Sequence, residues 1–184
     1  MIKVLSGKYK NRNLYTPDTD KTQPSKGMSK EGIFSAISPY LLDSVTLDLF
    51  AGSGALSIEA LSRGAKFSYL NDNGDLAYKC ILKNMQNLCE SSFILTKLDY
   101  KEALKFYKEN SIKFDIIFLD PPYAFDIYEE VTNYLLENNL INSSSILIFE
   151  TNKELNLEKY ENLYKIKLYK YGYSKVYILK GVDL

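Results

Sequence analysis

Five short apolar runs, separated by helical stretches, constrain this chain more than any other feature. VTLDLF (45–50), KFSYLND (66–72), SFILTKLD (92–99), FDIIFLD (114–120) and SILIFET (145–151) read as strands. Residues 54–63, 75–89, 101–109 and 128–139 lie between them and read as helices. Strands joined through helices of this length need right-handed crossovers, and so build a parallel, doubly wound sheet. The segment YKIKLYKYGYSKVYILK holds two β-rich runs broken at Tyr171–Gly172. It predicts a hairpin that adds antiparallel strands at the sheet edge. The expected architecture is a Rossmann-like α/β domain on a mostly parallel, seven-stranded sheet.

The chain before residue 45 follows a different pattern. IKVLSGKYKNRNLYT (2–16) predicts a short hairpin turning near Gly7 or around Lys10–Arg12, and PDTDKTQPSKGMS (17–29) a polar loop. A helix is expected next, with Ser29 as N-cap and Ile33, Phe34, Ile37 and Leu41 as its apolar stripe, disturbed at Pro39. The expected division is a basic extension over 1–28 and the main domain over 29–184; 184 residues suit one buried core.

Histidine is absent. That excludes Ser-His-Asp and Cys-His nucleophile systems, HExxH zinc sites and histidine pH switches. Cys80 and Cys89 are too few for a metal cluster or a disulfide framework, and CILKNMQNLC reads as helix packing with free thiols in a reducing cytoplasm. No apolar run approaches the ~18 residues of a membrane span, and MIKVLSGKYKNR has no apolar signal core. A soluble, cytoplasmic protein without a metal is expected. The formal net charge of zero hides a gradient. Residues 1–30 carry seven cations and two anions, residues 31–151 nine and 17, and residues 152–184 seven and four. Basic ends around an acidic centre suit an approach to a polyanion.

The stretch LDLFAGSGALSIEALSRGA (47–65) runs from strand through a small-residue turn into an amphipathic helix. In such folds ligands sit outside the carboxyl ends of the strands. Gly52 and Gly54 let a ligand approach the backbone, and the helix start offers unbonded N–H groups. A dinucleotide fingerprint would need a third glycine where Ser57 stands, and a P-loop would need a lysine where Ala55 and Leu56 stand. Asp48, before the turn, would repel a pyrophosphate but accept bonds from an amino group. A nucleoside bearing an ammonium therefore fits better than a diphosphate. Asp72, about twenty residues past the loop, is placed for ribose hydroxyls. Asp75 reads as the next N-cap, and Asp99, ending the third strand, as an acceptor for an adenine amine.

The fourth strand runs into Asp120-Pro121-Pro122-Tyr123. Two prolines cannot continue a parallel strand, so they form a rigid rim after the acid. The set supplies what methylation of an exocyclic amine requires. Asp120 and the Pro121 carbonyl accept the two N–H bonds, the nitrogen lone pair is aimed, and Tyr123 stacks on the base.

Together these residues resemble the class I S-adenosylmethionine-dependent methyltransferases of the [DNS]PP[YF] branch. More closely, the chain is similar to the bacterial RsmD-type guanine-N2 methyltransferases of small-subunit rRNA. The resemblance rests on VLSGKYKNRNLYTP, EGIF (31–34), the glycine stretch, Lys83-Asn84, FDIIFLDPPY and the closing hairpin. It implies that Asp48, Phe50, Ala51, Gly52, Ser53 and Gly54 hold the methionine end of S-adenosylmethionine, Asp72 the ribose and Asp99 the adenine. It further implies that Asp120 to Tyr123 hold the target amine, and that Lys8, Lys10, Arg12 and Lys26 of the N-terminal hairpin and loop touch RNA. The partner implied is small-subunit rRNA or an assembling small subunit; the sequence leaves the oligomeric state open, with a monomer expected. The chain departs from the family pattern with Asp72 for the usual Glu, Gln23-Pro24-Ser25 for RPT, and Met28 for an arginine. Two other readings stand beside this one. DNA adenine-N6 methylation uses the same tetrapeptide but needs a target-recognition region, and a non-catalytic RNA-binding assembly factor would bind RNA without cofactor.

Overall fold

The computed structural model describes residues 2–17, 24–122 and 126–183, with residues 24–27 described by their backbone alone. Strands β1 (Ile2–Lys3) and β2 (Asn13–Leu14) pair antiparallel, Ile2 opposite Leu14. Helix α1 (Pro24–Ile37) ends in a 3-10 turn at Ser38–Tyr40. Then come β3 (Val45–Asp48), α2 (Ala55–Ser62), β4 (Phe67–Asn71) and α3 (Asp75–Asn87). β5 (Phe93–Thr96), α4 (Tyr100–Glu109), β6 (Ile116–Leu119), α5 (Tyr128–Glu137) and β7 (Ile146–Thr151) continue the alternation. A hairpin of β8 (Tyr164–Tyr171) and β9 (Ser174–Gly181) closes it.

The main sheet has seven strands in the order β5-β4-β3-β6-β7-β9-β8. The first five of these are parallel, and β9 runs antiparallel between β7 and β8. Only β8 of the hairpin is therefore an edge strand; β9 is an inner one. The sheet is covered on both faces. Ile33, Phe34 and Ile37 of α1 share one apolar layer with Ile58, Ile81 and Phe118, and Leu104, Val131, Phe114 and Phe149 build the other. Strands buried on both sides need apolar residues at every position, and Ile116–Leu119 and Ile146–Phe149 supply them.

Several expected boundaries move. Every predicted strand is shorter than its run: β3 stops at Asp48, before Leu49 and Phe50, β5 stops at Thr96, and β6 begins at Ile116. Helix α1 begins at Pro24 rather than after Ser29, since proline is pre-organised for a first helical position. Ser29 is not an N-cap; it lies within α1 and donates to Glu150 Oε1 at 3.2 Å. The expected polar loop falls partly on residues 18–23, outside the described residues. Asp75 is not an N-cap either, because Gly74 takes that place and Asp75 opens the first turn. Asp99 is the acid that caps, accepting from the Lys101 N–H at the start of α4 at 3.0 Å. Between β1 and β2 both expected turns occur, with Lys10 N–H bonded to the Gly7 carbonyl and Arg12 N–H to that of Tyr9.

Two buried carboxylates fasten this first hairpin to the domain. Glu59 of α2 accepts from the Leu5 and Ser6 amides at 2.8 and 3.0 Å and pairs with Arg63 at 2.8 Å and Lys30 at 3.2 Å. Lys30 Nζ also donates to the Lys3 carbonyl at 2.7 Å, joining α1 to the same point. Beyond α3, Glu90 accepts from Lys8 Nζ at 2.8 Å, the Tyr9 hydroxyl at 2.7 Å and the Ser91 and Ser92 amides. Burial alone would raise the Glu90 carboxyl, but these donors outweigh it and hold it at about 2.

Burial pulls Lys30 below the ordinary lysine range, and Glu59 opposes that pull. Removing the carboxylate strands a buried cation, a change that costs about 3–5 kcal/mol. Glu59→Gln is expected to lower the unfolding free energy by that much, seen as a lower urea midpoint. Adding Lys30→Met should recover part of the loss, measured by a double-mutant cycle in urea.

Candidate active site

The carboxyl ends of β3, β4 and β6 lie side by side in the sheet, and each delivers an acid. Asp48 ends β3, Asp72 follows β4 and Asp120 follows β6. Thr46–Asp48 pairs with Ile116–Phe118, while Leu70 stands opposite Asp48 on the other side. The backbone after β3 is held to both neighbours. Leu49 N–H reaches the Phe118 carbonyl at 3.3 Å, and Ala51 N–H the Asn71 carbonyl at 2.9 Å. The Asn71 side chain donates to the Leu49 and Leu98 carbonyls and accepts from Thr96 Oγ1 and the Leu98 amide.

The glycine turn is a braced cradle. Gly52 and Gly54 both have positive φ, 54° and 76°, which side-chain-bearing residues adopt with strain. A Cβ added at Gly52 would project into open space, and one at Gly54 would make ordinary contact with Ile81 and Leu70, so it is the positive φ and not crowding that favours glycine there. Asp72 fastens the turn, accepting Gly52 N–H at 2.8 Å through one oxygen and Gly74 N–H at 2.9 Å through the other. Its short side chain is thus drawn toward the loop backbone. From below, Asn84 of α3 donates to the Ser53 carbonyl at 2.9 Å. The same side chain accepts from Tyr15 N–H at 2.8 Å and donates to the Tyr15 carbonyl at 3.0 Å. Asn84 therefore joins the strap after β2 to the glycine turn, a role that spacing along a helix did not signal.

Asp48 is the unusual group. It is 1% exposed, Ser57 Oγ donates to its Oδ2 at 3.2 Å, and its Oδ1 has no hydrogen-bond partner among the described residues. Burial drives its carboxyl up and the Ser57 hydroxyl resists. The charges of Asp120 and Asp72 add to the rise, so that it titrates at about 7. A buried acceptor without a donor costs free energy. A ligand ammonium would both supply the donor and offset three converging carboxylates. The residues present therefore fit a cationic, amino-bearing cofactor head above an open glycine turn.

The remaining candidates distribute unevenly. Phe50 lies half-buried with its ring 5.7 Å from that of Tyr100, and Ala51 and Ser53 are buried in the turn. Asp120 is half-buried, Pro121 buried and Pro122 exposed, while Tyr123 lies outside the described residues. Asp99 stays exposed, with one oxygen taken by its capping bond. Lys8, Lys10 and Arg12 are not brought to this site. The Lys8 amide bonds Ser62 and Arg12 bonds the Asn87 carbonyl, at the carboxyl ends of α2 and α3 and hence beside the amino ends of the strands. Lys8 is further engaged by Glu90, and Lys10 is exposed. Lys26 falls in the first turn of α1, with its side chain outside the described residues. Among the described residues no acidic or cysteine cluster could hold a metal ion, and no helix is long and apolar enough to cross a membrane. Cys80 and Cys89 form no disulfide.

A five-stranded parallel core, an inserted antiparallel hairpin and acids around a glycine turn define the class I methyltransferase scaffold. The family model described as "Conserved hypothetical protein 95" matches residues 2–180, and the chain belongs to that family, the RsmD family. A Haemophilus influenzae relative named "Ribosomal RNA small subunit methyltransferase D" is 34% identical, over 88% of this chain and 84% of its own. The solved structure of the Escherichia coli protein yhhF, which carries a methyltransferase name, superposes with a TM-score of 0.85. It is 25% identical, over 98% of this chain and 97% of its own. The structure of SMU.776 complexed with SAH shares the fold, with a TM-score of 0.68 at 16% identity, over 94% of this chain and 52% of its own.

The raised Asp48 carboxyl fixes a sign. The folded protein keeps this proton where the unfolded chain, with an ordinary carboxyl near about 4, has lost it. Asp48 therefore subtracts stability as pH climbs from about 4 to about 7, by at most about 1.4 kcal/mol per pH unit, and no more above that. Asp48→Asn is expected to gain on the parent in thermal midpoint as pH rises from about 4 to about 7, with a constant margin above that; parallel curves across this range would contradict the assignment.

Proposed function

We propose that this protein transfers a methyl group from S-adenosylmethionine to the exocyclic N2 amine of a guanine in small-subunit rRNA. The observation that carries the proposal is the buried, unpartnered Asp48 oxygen beside the glycine turn, one strand away from Asp120. The cofactor supplies an electrophilic sulfonium methyl. Asp48 accepts from its ammonium, the turn at Gly52–Gly54 gives its methionine end room, and Asp72 and Asp99 accept from the ribose and adenine.

The Asp120 carboxylate and the Pro121 carbonyl take the two N–H bonds of the target amine, leaving the nitrogen lone pair directed at the methyl. As the nitrogen gains positive charge, Asp120 stabilises it electrostatically, and the proton leaves to water after transfer. Two rigid prolines keep this geometry without a histidine base, and Tyr123, next in sequence, is the stacking partner for the base. Residues 1–28 act as the RNA-contacting extension through Lys8, Lys10, Arg12 and Lys26. The name of the Haemophilus influenzae relative supports rRNA as the substrate, and the SAH bound to a protein of the same fold supports the cofactor.

The test incubates the protein with labelled S-adenosylmethionine and, separately, unmodified small subunits, naked rRNA and duplex DNA, followed by mass spectrometry of digested nucleosides. N2-methylguanosine in the rRNA samples is expected; N6-methyladenosine in DNA would overturn the substrate. Asp120→Ala is expected to cut turnover at least about 100-fold, the scale of a lost electrostatic stabiliser. Cofactor affinity, read by calorimetry, should stay within about twofold. An equal loss of both would place Asp120 in the cofactor site instead.

A further inference from the structure

The closing hairpin has a composition that the fold does not require. Residues 162–182 hold five lysines, five tyrosines and no acid. The register sets like charges directly opposite each other, Lys165 against Lys180 and Lys170 against Lys175. Such cross-strand pairs disfavour a hairpin. Lysines on an exposed edge strand do discourage edge-to-edge association, but that purpose gives no reason for their partners on β9, an inner strand. Lys175 is offset by Glu154 at 3.3 Å, and Lys180 by the Ala36 carbonyl and the Tyr40 ring. Lys165, Lys167 and Lys170 form no ion pair among the described residues.

The hairpin tip stands on the same side as the site. Lys175 pairs with Thr151 at the carboxyl end of β7, and Tyr171 with Ser174 beside it. Three strand spacings separate β8 from β6, so the tip lies roughly 14 Å along the sheet from the strand that delivers Asp120. At the tip Tyr173 is 96% exposed. Its setting is nonetheless anchored. Buried Glu150 accepts from Ser174 Oγ at 2.9 Å and from Ser29 of α1, and its carbonyl accepts from the Tyr128 hydroxyl at the start of α5. Gly32 of α1 packs so closely on Tyr171 that an added Cβ would fall 1.7 Å from the hydroxyl. The Lys8–Arg12 cations, by contrast, sit near the amino ends of the strands.

We propose that the outer surface of β8 and the turn at Tyr173 form an RNA-binding surface. Lys170, beside the tip, contacts the phosphodiester backbone next to the target nucleotide. Lys167 and Lys165, on the other face of β8, meet the backbone farther along the strand, Lys165 roughly 20 Å from the tip and level with the start of β7. Tyr173 stacks on a neighbouring unpaired base. The inference rests on the RNA methyltransferase reading above, but it is tested by binding and not only by turnover.

Binding of small-subunit rRNA is measured against salt for the parent and for three variants. The K165Q/K167Q/K170Q variant is expected to bind at least about tenfold more weakly at about 0.1 M salt, with a slope of log affinity on log salt shallower by about 2. Y173A should lose about tenfold with an unchanged slope, the order of one base–aromatic stack. K66Q/K108Q/K113Q removes equal charge near the amino ends of the parallel strands and should bind within about twofold of the parent. Parent-like binding by the hairpin variants, or an equal loss in the control triple, would overturn the proposal. So would self-association of the lysine variant with RNA binding intact, which would make these lysines guards of a sheet edge. If the parent methylates no RNA, the functional reading fails on its own, while the binding slopes still decide the hairpin surface.

Discussion

One amide side chain holds the working end of this protein together. Parallel strands stop at different heights, and each leaves backbone groups that its neighbours no longer satisfy. Asn71 answers for three strand ends at once, bonding the backbone after β3 and after β5 while belonging to β4. Its own carbonyl takes Ala51 N–H, which sets the start of the glycine turn. The next residue, Asp72, ties Gly52 and Gly74. Two adjacent residues thus fix where the turn begins, where it bends and how far it stands from β5.

Those braces matter because the site is built against electrostatic preference. Three carboxylates converge, and one of them, Asp48, is buried with an oxygen left without a donor. Folding has to impose that arrangement with stability gained elsewhere, as pre-organised sites generally do. The Glu59 and Glu90 fastenings are the opposite kind of buried charge, with cations and amides provided within the chain itself. The contrast separates an acid that waits for a ligand from an acid that already has its partners.

Much of this was legible in the residues. Alternating apolar runs and helical stretches specified the parallel core, and the break expected at Tyr171–Gly172 lies one residue before the hairpin turn at Gly172–Tyr173. The acids at 48, 72 and 120 stood out because each follows a strand. What stayed hidden depended on tertiary partners. Ser29 has the composition of a cap, yet its hydroxyl goes to Glu150, 121 residues away. Asp75 has the composition of a cap, yet Gly74 takes that place, and Asp99 caps α4; only the backbone path decides which acid faces a helix start. Lys8 and Arg12 show as basic residues in the sequence, but their bonds to Glu90 and the Asn87 carbonyl, far along the chain, do not. Local pattern carries no information about these long-range matches.

The position of β9 has a consequence for how the chain is made. β9 follows β8 in sequence but lies between β8 and β7. During synthesis β8 therefore emerges with no strand beside it, and β7 remains an open sheet edge until β9 arrives. The N-terminal hairpin has a similar wait, because its anchors at Glu59 and Glu90 are translated long after it. Both ends of the chain are thus held back until distant elements exist, and the core between them is free to organise first. A nascent chain stalled before residue 174 would expose β7 beside a lysine-rich, unpaired β8, a state that a chaperone or a protease would meet before the folded protein exists.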